Sequence, residues 1–164
     1  MKKFIKYSLF GIVYLVIIFG LAIMFIVTAK ADLTKPNDGI EPYQVVNIQL
    51  TGLKNNDIPN KNYGIEQTWK FAHPLNKKYT GPLPRFIKLL NSESYKMLLN
   101  QIENEIIEVF KSNSRYGFEV TILAKNKNYY KFQWVVEKYY KEGPLKDCWL
   151  TASVSSPVSL GSSI

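Results

Sequence analysis

Hydrophobic positions divide the chain into two unequal parts. From Tyr7 to Ala29 no residue carries a formal charge, and Leu, Ile, Val and Phe dominate the run. About 20 such residues cross the roughly 30 Å hydrocarbon core as a helix, and a helix pairs its backbone polar groups within itself. The pattern predicts a transmembrane helix over 7–29, behind a basic tail at 1–6 that holds Lys2, Lys3 and Lys6. Lys30 and Lys35 follow the run, offset by Asp32, Asp38 and Glu41. Counting Lys and Arg favours the N-terminus inside and the body outside. Ala29-Lys30-Ala31 is an A-x-A site, so a cleaved secretory signal is the alternative. The run exceeds the roughly 7–15 apolar residues of such a signal, which favours an uncleaved anchor.

The remaining residues change period once. Residues 30–41, with Pro36 and an Asp-Gly pair, have linker composition. Pro42 suits the first turn of a helix, and Val45, Val46, Ile48, Gln49 and Leu53 form an apolar stripe at helical spacing. A second helix is expected from Gly64 to Ala72, ended by His73-Pro74 because the residue before Pro avoids the α region. Asn76–Gly81 reads as a loop turning into a third helix that points Phe86, Ile87, Leu89 and Leu90 inward. Ser92 or Ser94 is expected to cap a further turn carrying Tyr95, Leu98 and Leu99. After Asn100 the period falls to two. Ile106–Phe110, Tyr116–Lys125, Tyr129–Tyr140 and Cys148–Val154 are expected strands. Phe118, Val120, Ile122 and Ala124 share one face, as do Tyr130, Phe132, Trp134 and Val136. Helices followed by an antiparallel meander make an α+β domain over 42–156, with 157–164 as a loose tail.

Charge and rare residues narrow the chemistry. The net charge is +8, but residues 32–164 hold 17 basic and 13 acidic side chains, and only Arg85 and Arg115 are Arg among the 21 basic residues. A joint excess of Lys and Asn resembles coding bias more than a nucleic-acid surface. One Cys excludes an internal disulfide or a cysteine zinc cluster, and one His excludes a multi-histidine metal site. His73 reads as a polar residue at a helix end, with a general base as the rival role. Glu66 and Lys70 have the spacing of a surface ion pair. Arg85 invites a buried carboxylate partner such as Glu66, the carbonyls of the 76–81 loop, or an anion in a pocket. Cys148 reads as a small buried residue. Aromatic and Lys residues alternate over 129–141, which raises an RNA-binding sheet, yet the alternation is explained by one core face. No P-loop, nucleophile-elbow, dinucleotide or zinc-protease motif occurs.

Two blocks carry a resemblance: Tyr63-Gly64-Ile65 through Trp69-Lys70-Phe71-Ala72 to Asn76, and Thr80-Gly81-Pro82-Leu83-Pro84-Arg85-Phe86. They are similar to an uncharacterised family of small proteins marked by G-I…[WY]-x-F-A-x-x-x-N…T-G-P-L-x-R-F. Gln49-Leu50, Asn56-Asp57-Ile58-Pro59 and Cys148-Trp149-Leu150-Thr151 resemble its flanking elements. The resemblance covers roughly 42–156 and implies a cone-like domain of the nuclear transport factor two superfamily, with helices packed in a curved antiparallel sheet. Catalytic members place an Asp, His or Tyr inside the cone, and here only His73 and Asp57 are candidates. The resemblance implies structural roles for Gly64, Phe71, Asn76, Thr80, Gly81, Pro82, Arg85 and Phe86.

No residue set rises to a catalytic mechanism, and no cofactor or metal is expected. The expected function is a single-pass, membrane-anchored, non-enzymatic binding or scaffold domain. An accessory or assembly subunit of a larger membrane complex fits it, in an organelle inner membrane or a bacterial plasma membrane. Its partners are then the membrane and other protein subunits, not nucleic acid. The alternative is a tethered cone that binds or transforms a small amphipathic or hydrophobic molecule, with Arg85, His73, Trp69 and Trp134 lining its pocket.

Overall fold

In the computed structural model the described residues run from Asp32 to Ser162. The tail at 1–6 and the span expected at 7–29 lie outside them; among the described residues no helix is long and apolar enough to cross a membrane. Four helices come first: α1 (Pro42–Lys54), α2 (Tyr63–Lys70), α3 (Pro74–Thr80) and α4 (Leu83–Leu90). A 3₁₀ turn at Lys96–Leu98 leads into β1 (Glu103–Lys111), β2 (Arg115–Leu123), β3 (Asn128–Lys138), β4 (Trp149–Val154) and β5 (Val158–Ser162). The fold is α+β.

Residues 32–41 have no regular structure but are held down. Thr34 N–H donates to Gln67 Oε1 at 2.8 Å, Gln67 Nε2 returns a bond to Thr34 O at 2.9 Å, and the Tyr63 hydroxyl donates to Asp32 O. Pro42 then opens α1, where Glu41 N–H donates to Gln44 Oε1 at 2.9 Å and ties off a free amide of the first turn. The buried face of α1 is Val45, Val46, Gln49, Leu50 and Leu53. Its connection to α2 is built on Asn56 and Asp57. Asn56 accepts from Gly64 N–H with its carbonyl and from Ile65 N–H with Oδ1, and Asp57 Oδ1 accepts from Asn62 N–H. Helices α1 and α2 cross where Gly52 meets Gly64. A Cβ on Gly64 would run into the Gly52 carbonyl, while one on Gly52 would lie 3.3 Å from the Gly64 oxygen.

Two expected loops are regular structure. Residues Asn76–Gly81 are not a loop: Pro74 occupies the first turn of α3, where its missing N–H and fixed φ cost nothing. Before it, Phe71–His73 runs alongside β4: Thr151 N–H donates to Phe71 O at 2.8 Å, and His73 N–H donates to Thr151 O at 2.9 Å. The tail is not loose either, because β5 pairs with Asn128–Lys131 of β3. Strands β4 and β5 lie end to end along one edge of β3, bridged where Ser155 N–H donates to Gln133 O and Ser155 Oγ accepts from Gln133 N–H, both at 2.9 Å. The turn expected after Ser92 is 3₁₀ rather than α, and Ser92 does not cap it: its hydroxyl donates back to Leu89 O at 2.7 Å.

The sheet runs β1-β2-β3-β4 and is antiparallel throughout. Phe118 faces Trp134 and Val120 faces Phe132 across β2 and β3. These side chains, with Ile122 and Val136, form one core with Val45, Leu50, Leu53, Ile65, Phe71 and Phe86 of the helical half. Register shifts at Glu108/Phe110, Tyr129/Tyr130 and Val135/Val136 mark places where strands bend and twist more tightly.

The two glycines make unequal demands. Gly64→Ala overpacks backbone against backbone and is expected to lower stability by about 1–3 kcal/mol. Gly52→Ala meets only a tight contact and gains helix propensity, so its loss is expected to stay below about 1 kcal/mol. Urea midpoints of the two variants check the order; equal losses would contradict the crossing.

Candidate functional site

A small polar cluster sits where α1, α2, β3 and β4 converge. Gln49 projects from the apolar face of α1 and is only 1% exposed. Its Oε1 accepts from Trp134 Nε1 at 3.0 Å and from Thr151 Oγ1 at 2.6 Å. Its Nε2 donates to the Thr68 carbonyl at 3.0 Å. Two donors on one end and one acceptor at the other define the amide orientation, since a flipped amide would oppose donor to donor. Thr151 Oγ1 also lies 3.2 Å from Trp134 Nε1, and the Thr68 hydroxyl donates to Gly64 O at 2.8 Å. The buried polar groups of this cluster satisfy one another.

Beside the cluster is a cavity of about 60 Å³, walled by Leu53, Phe86, Leu90, Tyr95, Leu98 and Trp134. A water occupies about 30 Å³ of liquid, and a cavity that holds benzene measures about 150 Å³. The space admits about two waters. Two lining residues, Asn76 and Thr80, are already committed: Asn76 Nδ2 donates to Thr151 O at 3.1 Å, and the Thr80 hydroxyl donates to Asn76 O at 2.9 Å. A wider groove of about 670 Å³ between α1 and β1 is lined by Tyr43, Asn47, Glu103, Glu105 and Tyr129, and none of the expected site residues faces it.

The four expected pocket residues separate. Trp134 is in the core. Trp69 is half-buried, with Nε1 aimed at Gly81 O at 3.5 Å and Lys77 Nζ at 4.2 Å above its ring. Arg85 is not buried and has no carboxylate among the described residues. It lies against Gly81, whose φ of +84° places its α-carbon where any Cβ would strike the Arg85 side chain. An exposed position at the start of α4, one residue before inward Phe86, leaves Arg85 no route to the interior. The Glu66–Lys70 ion pair is likewise absent from the described residues.

His73 caps α3. Its Nδ1 accepts from Leu75 N–H at 3.1 Å, so the neutral ring carries its proton on Nε2, and the ring meets Tyr139 edge-on with centroids 5.4 Å apart. Burial lowers its pKa from the ordinary value near 6.5; the Glu137 carboxylate opposes that shift and the Lys141 ammonium adds to it. The remaining motif residues are also structural: Gly64 at the helix crossing, Phe71 in the core, Pro82 as the residue before α4, and Phe86 buried beneath it. Asp57 holds the α1–α2 connection rather than a substrate. Cys148 is buried, and burial first, then Asp38 and Asp147, push its thiol pKa up, away from thiolate chemistry. No group of three or more His, Cys, Asp or Glu among the described residues could hold a metal ion. The aromatic face of β3 turns toward the helices; its other face carries the Lys131–Glu119 and Arg115–Glu137 ion pairs, both at 3.2 Å, and is no stacking platform for bases.

The Gln49–Thr151 pairing eluded the sequence, although its signal was there: a Gln at an inward position of an apolar stripe needs a partner. Compared with known proteins, the chain matches no family model, no curated protein and no solved structure.

Gln49→Leu leaves the Thr68 carbonyl with only its bond from Phe71 N–H and removes the shorter acceptor of Trp134 and the acceptor of the Thr151 hydroxyl, so a loss of about 1–3 kcal/mol is expected in chemical denaturation. A neutral effect would contradict the cluster's role. For His73 the sign follows from the lowered pKa. Above about pH 7.5 both states are neutral and the full contribution is present. As pH falls through 6.5 the unfolded chain takes up a proton first, so stability is lost. Asn also caps helices, so wild type and His73→Asn should show a constant stability difference above pH 7.5 and wild type should lose ground toward pH 5.5. A difference that does not move with pH would show that His73 is not held neutral.

Proposed function

We propose that the chain is a single-pass, membrane-anchored, non-enzymatic binding domain that serves a larger membrane complex as an accessory or assembly subunit. The carrying observation is the filled core: the cavity beside the satisfied hydrogen-bond cluster, where Trp134 lies, measures only about 60 Å³. The roomier groove between α1 and β1 is open, lined mainly by polar residues, and holds none of Trp69, His73, Arg85 or Trp134. A tethered cone that binds an amphipathic molecule needs far more room. Helices on one face of an antiparallel meander, with bulged strands, support placement among cone-like domains of the nuclear transport factor two type. The uncharged run at 7–29 supports an anchor in an organelle inner membrane or a bacterial plasma membrane, with the N-terminus inside.

Binding then belongs to outer surfaces. On β1, which has no strand beyond it in the sheet among the described residues, Ile107, Val109 and Phe110 are exposed, each about half. Exposed apolar residues on an unpaired edge are where another protein adds a strand or a contact.

Full-length protein is expected to stay with its membranes on carbonate extraction and, once solubilised in mild detergent, to migrate on native gels well above its 18.9 kDa mass. Phe110→Asp, on the exposed edge, should abolish the larger species while leaving thermal stability within about 0.5 kcal/mol. Wild-type protein that migrates as a monomer would overturn the proposal.

A further inference from the structure

The basic residues are unevenly distributed in a way the net charge hides. Residues 67–92 contain Lys70, Lys77, Lys78, Arg85 and Lys88 and no acidic residue. Every ion pair among the described residues lies elsewhere, and these five cations form none. They lie on connected structure. Lys77 Nζ is 3.5 Å from Lys70 O and stands over Trp69, Trp69 Nε1 is 3.5 Å from Gly81 O, and Arg85 lies against Gly81. Lys88 follows Arg85 by three residues on α4, one turn of the same face. Burial first, and the neighbouring Lys70 ammonium second, lower the Lys77 pKa.

Helix α3, which carries Lys77 and Lys78, also presents two large apolar side chains. Leu75 is 60% exposed and Tyr79 79% exposed, four residues apart on α3, with Lys78 between them on the outer turn. Uncompensated Lys and Arg beside exposed Leu and Tyr suit an anionic bilayer surface. The ammonium groups meet headgroup phosphates while Leu and the Tyr ring enter the interfacial layer. A polyanion such as RNA would use the charge but has no need of an exposed Leu.

We infer that the α3–α4 face, with Lys70, Lys77, Lys78, Arg85 and Lys88 around Leu75 and Tyr79, docks on anionic lipid headgroups. The inference deepens the membrane-anchored reading above and rests on it for the nearness of a bilayer. Docking orients the domain, so that the opposite surfaces, including β1, are presented to partners.

The test uses full-length protein reconstituted in phosphatidylcholine vesicles with and without phosphatidylserine. A fluorophore is attached at Leu75→Cys; Cys148 is buried and escapes labelling. Quenching by lipid-borne quenchers is expected to rise with phosphatidylserine and to fall with added salt. Lys77→Gln and Lys78→Gln should each lower the ratio of docked to undocked domain about fivefold, the equivalent of ~1 kcal/mol per cation. Quenching that is equal in the two lipid compositions, or insensitive to these substitutions, overturns the inference. So does an absence of quenching combined with a salt-sensitive response of the label to single-stranded RNA, which would assign the face to a nucleic acid. Carbonate extraction of the same vesicles reports on the anchor separately. Release by carbonate with phosphatidylserine-dependent quenching intact would remove the anchor and keep the face; retention without any phosphatidylserine effect would do the reverse.

Discussion

The described domain is organised around the side-chain amide of Gln49. Its three hydrogen bonds reach Thr68, Trp134 and Thr151, which lie 19, 85 and 102 residues away in sequence. One buried amide therefore ties the first helix to the second helix and to two strands. Leaving such an amide unpaired would cost about 1–3 kcal/mol, so the cluster tolerates only one register of α1 on the sheet. Hydrophobic burial alone would not discriminate so sharply, because Val45, Val46 and Leu50 could slide against Phe118 and Phe132 at little cost. The apolar core supplies cohesion, and the amide supplies specificity.

The segment from Tyr63 to Phe86 reads differently in this light. Its glycine, aromatic, Asn and Thr positions look like a site in one dimension, but in space they attach a chain of short helices to β4. Gly64 permits the close helix crossing, Phe71 and His73 exchange backbone hydrogen bonds with Thr151, and Asn76 takes the remaining Thr151 carbonyl valence. Gly81 gives the left-handed turn on which Arg85 rests. A motif dense in special residues thus meets the demands of a strand edge covered by a non-strand segment. Covering that edge also protects it from intermolecular pairing.

Legibility in the sequence followed burial contrast. Strands β2 and β3 and helices α1, α2 and α4 were readable because each sets apolar side chains against polar ones at a clear period. By contrast β1, with no buried residue, and β4, which opens on three buried ones, were readable from their β-branched and aromatic content. Helix α3 has no buried residue, and its Leu75 and Tyr79 face outward, so no inward stripe announced it. Strand β5 is exposed along its length and owes its place to backbone pairing with β3, which a Ser- and Gly-containing stretch does not advertise. Arg85 misled for a chemical reason: a rare Arg suggests a bidentate partner, whereas here its aliphatic stem packs on Gly81 and its charge stays at the surface. The Gln49 cluster was hidden because its members lie on four different elements, and only the fold brings them together.

Trp134, deep in the core, reports directly on whether the interior is closed. Its indole N–H is shared between Gln49 and Thr151 with the ring 1% exposed. Hydrogen exchange of that single indole proton, followed by NMR in the folded protein, is the most direct measurement. A closed interior predicts exchange only through global unfolding, at a free energy matching that from denaturation, with no response of the resonance to added amphipathic molecules. Exchange through local opening, or a shift of the Trp134 resonance on adding such a molecule, would contradict it.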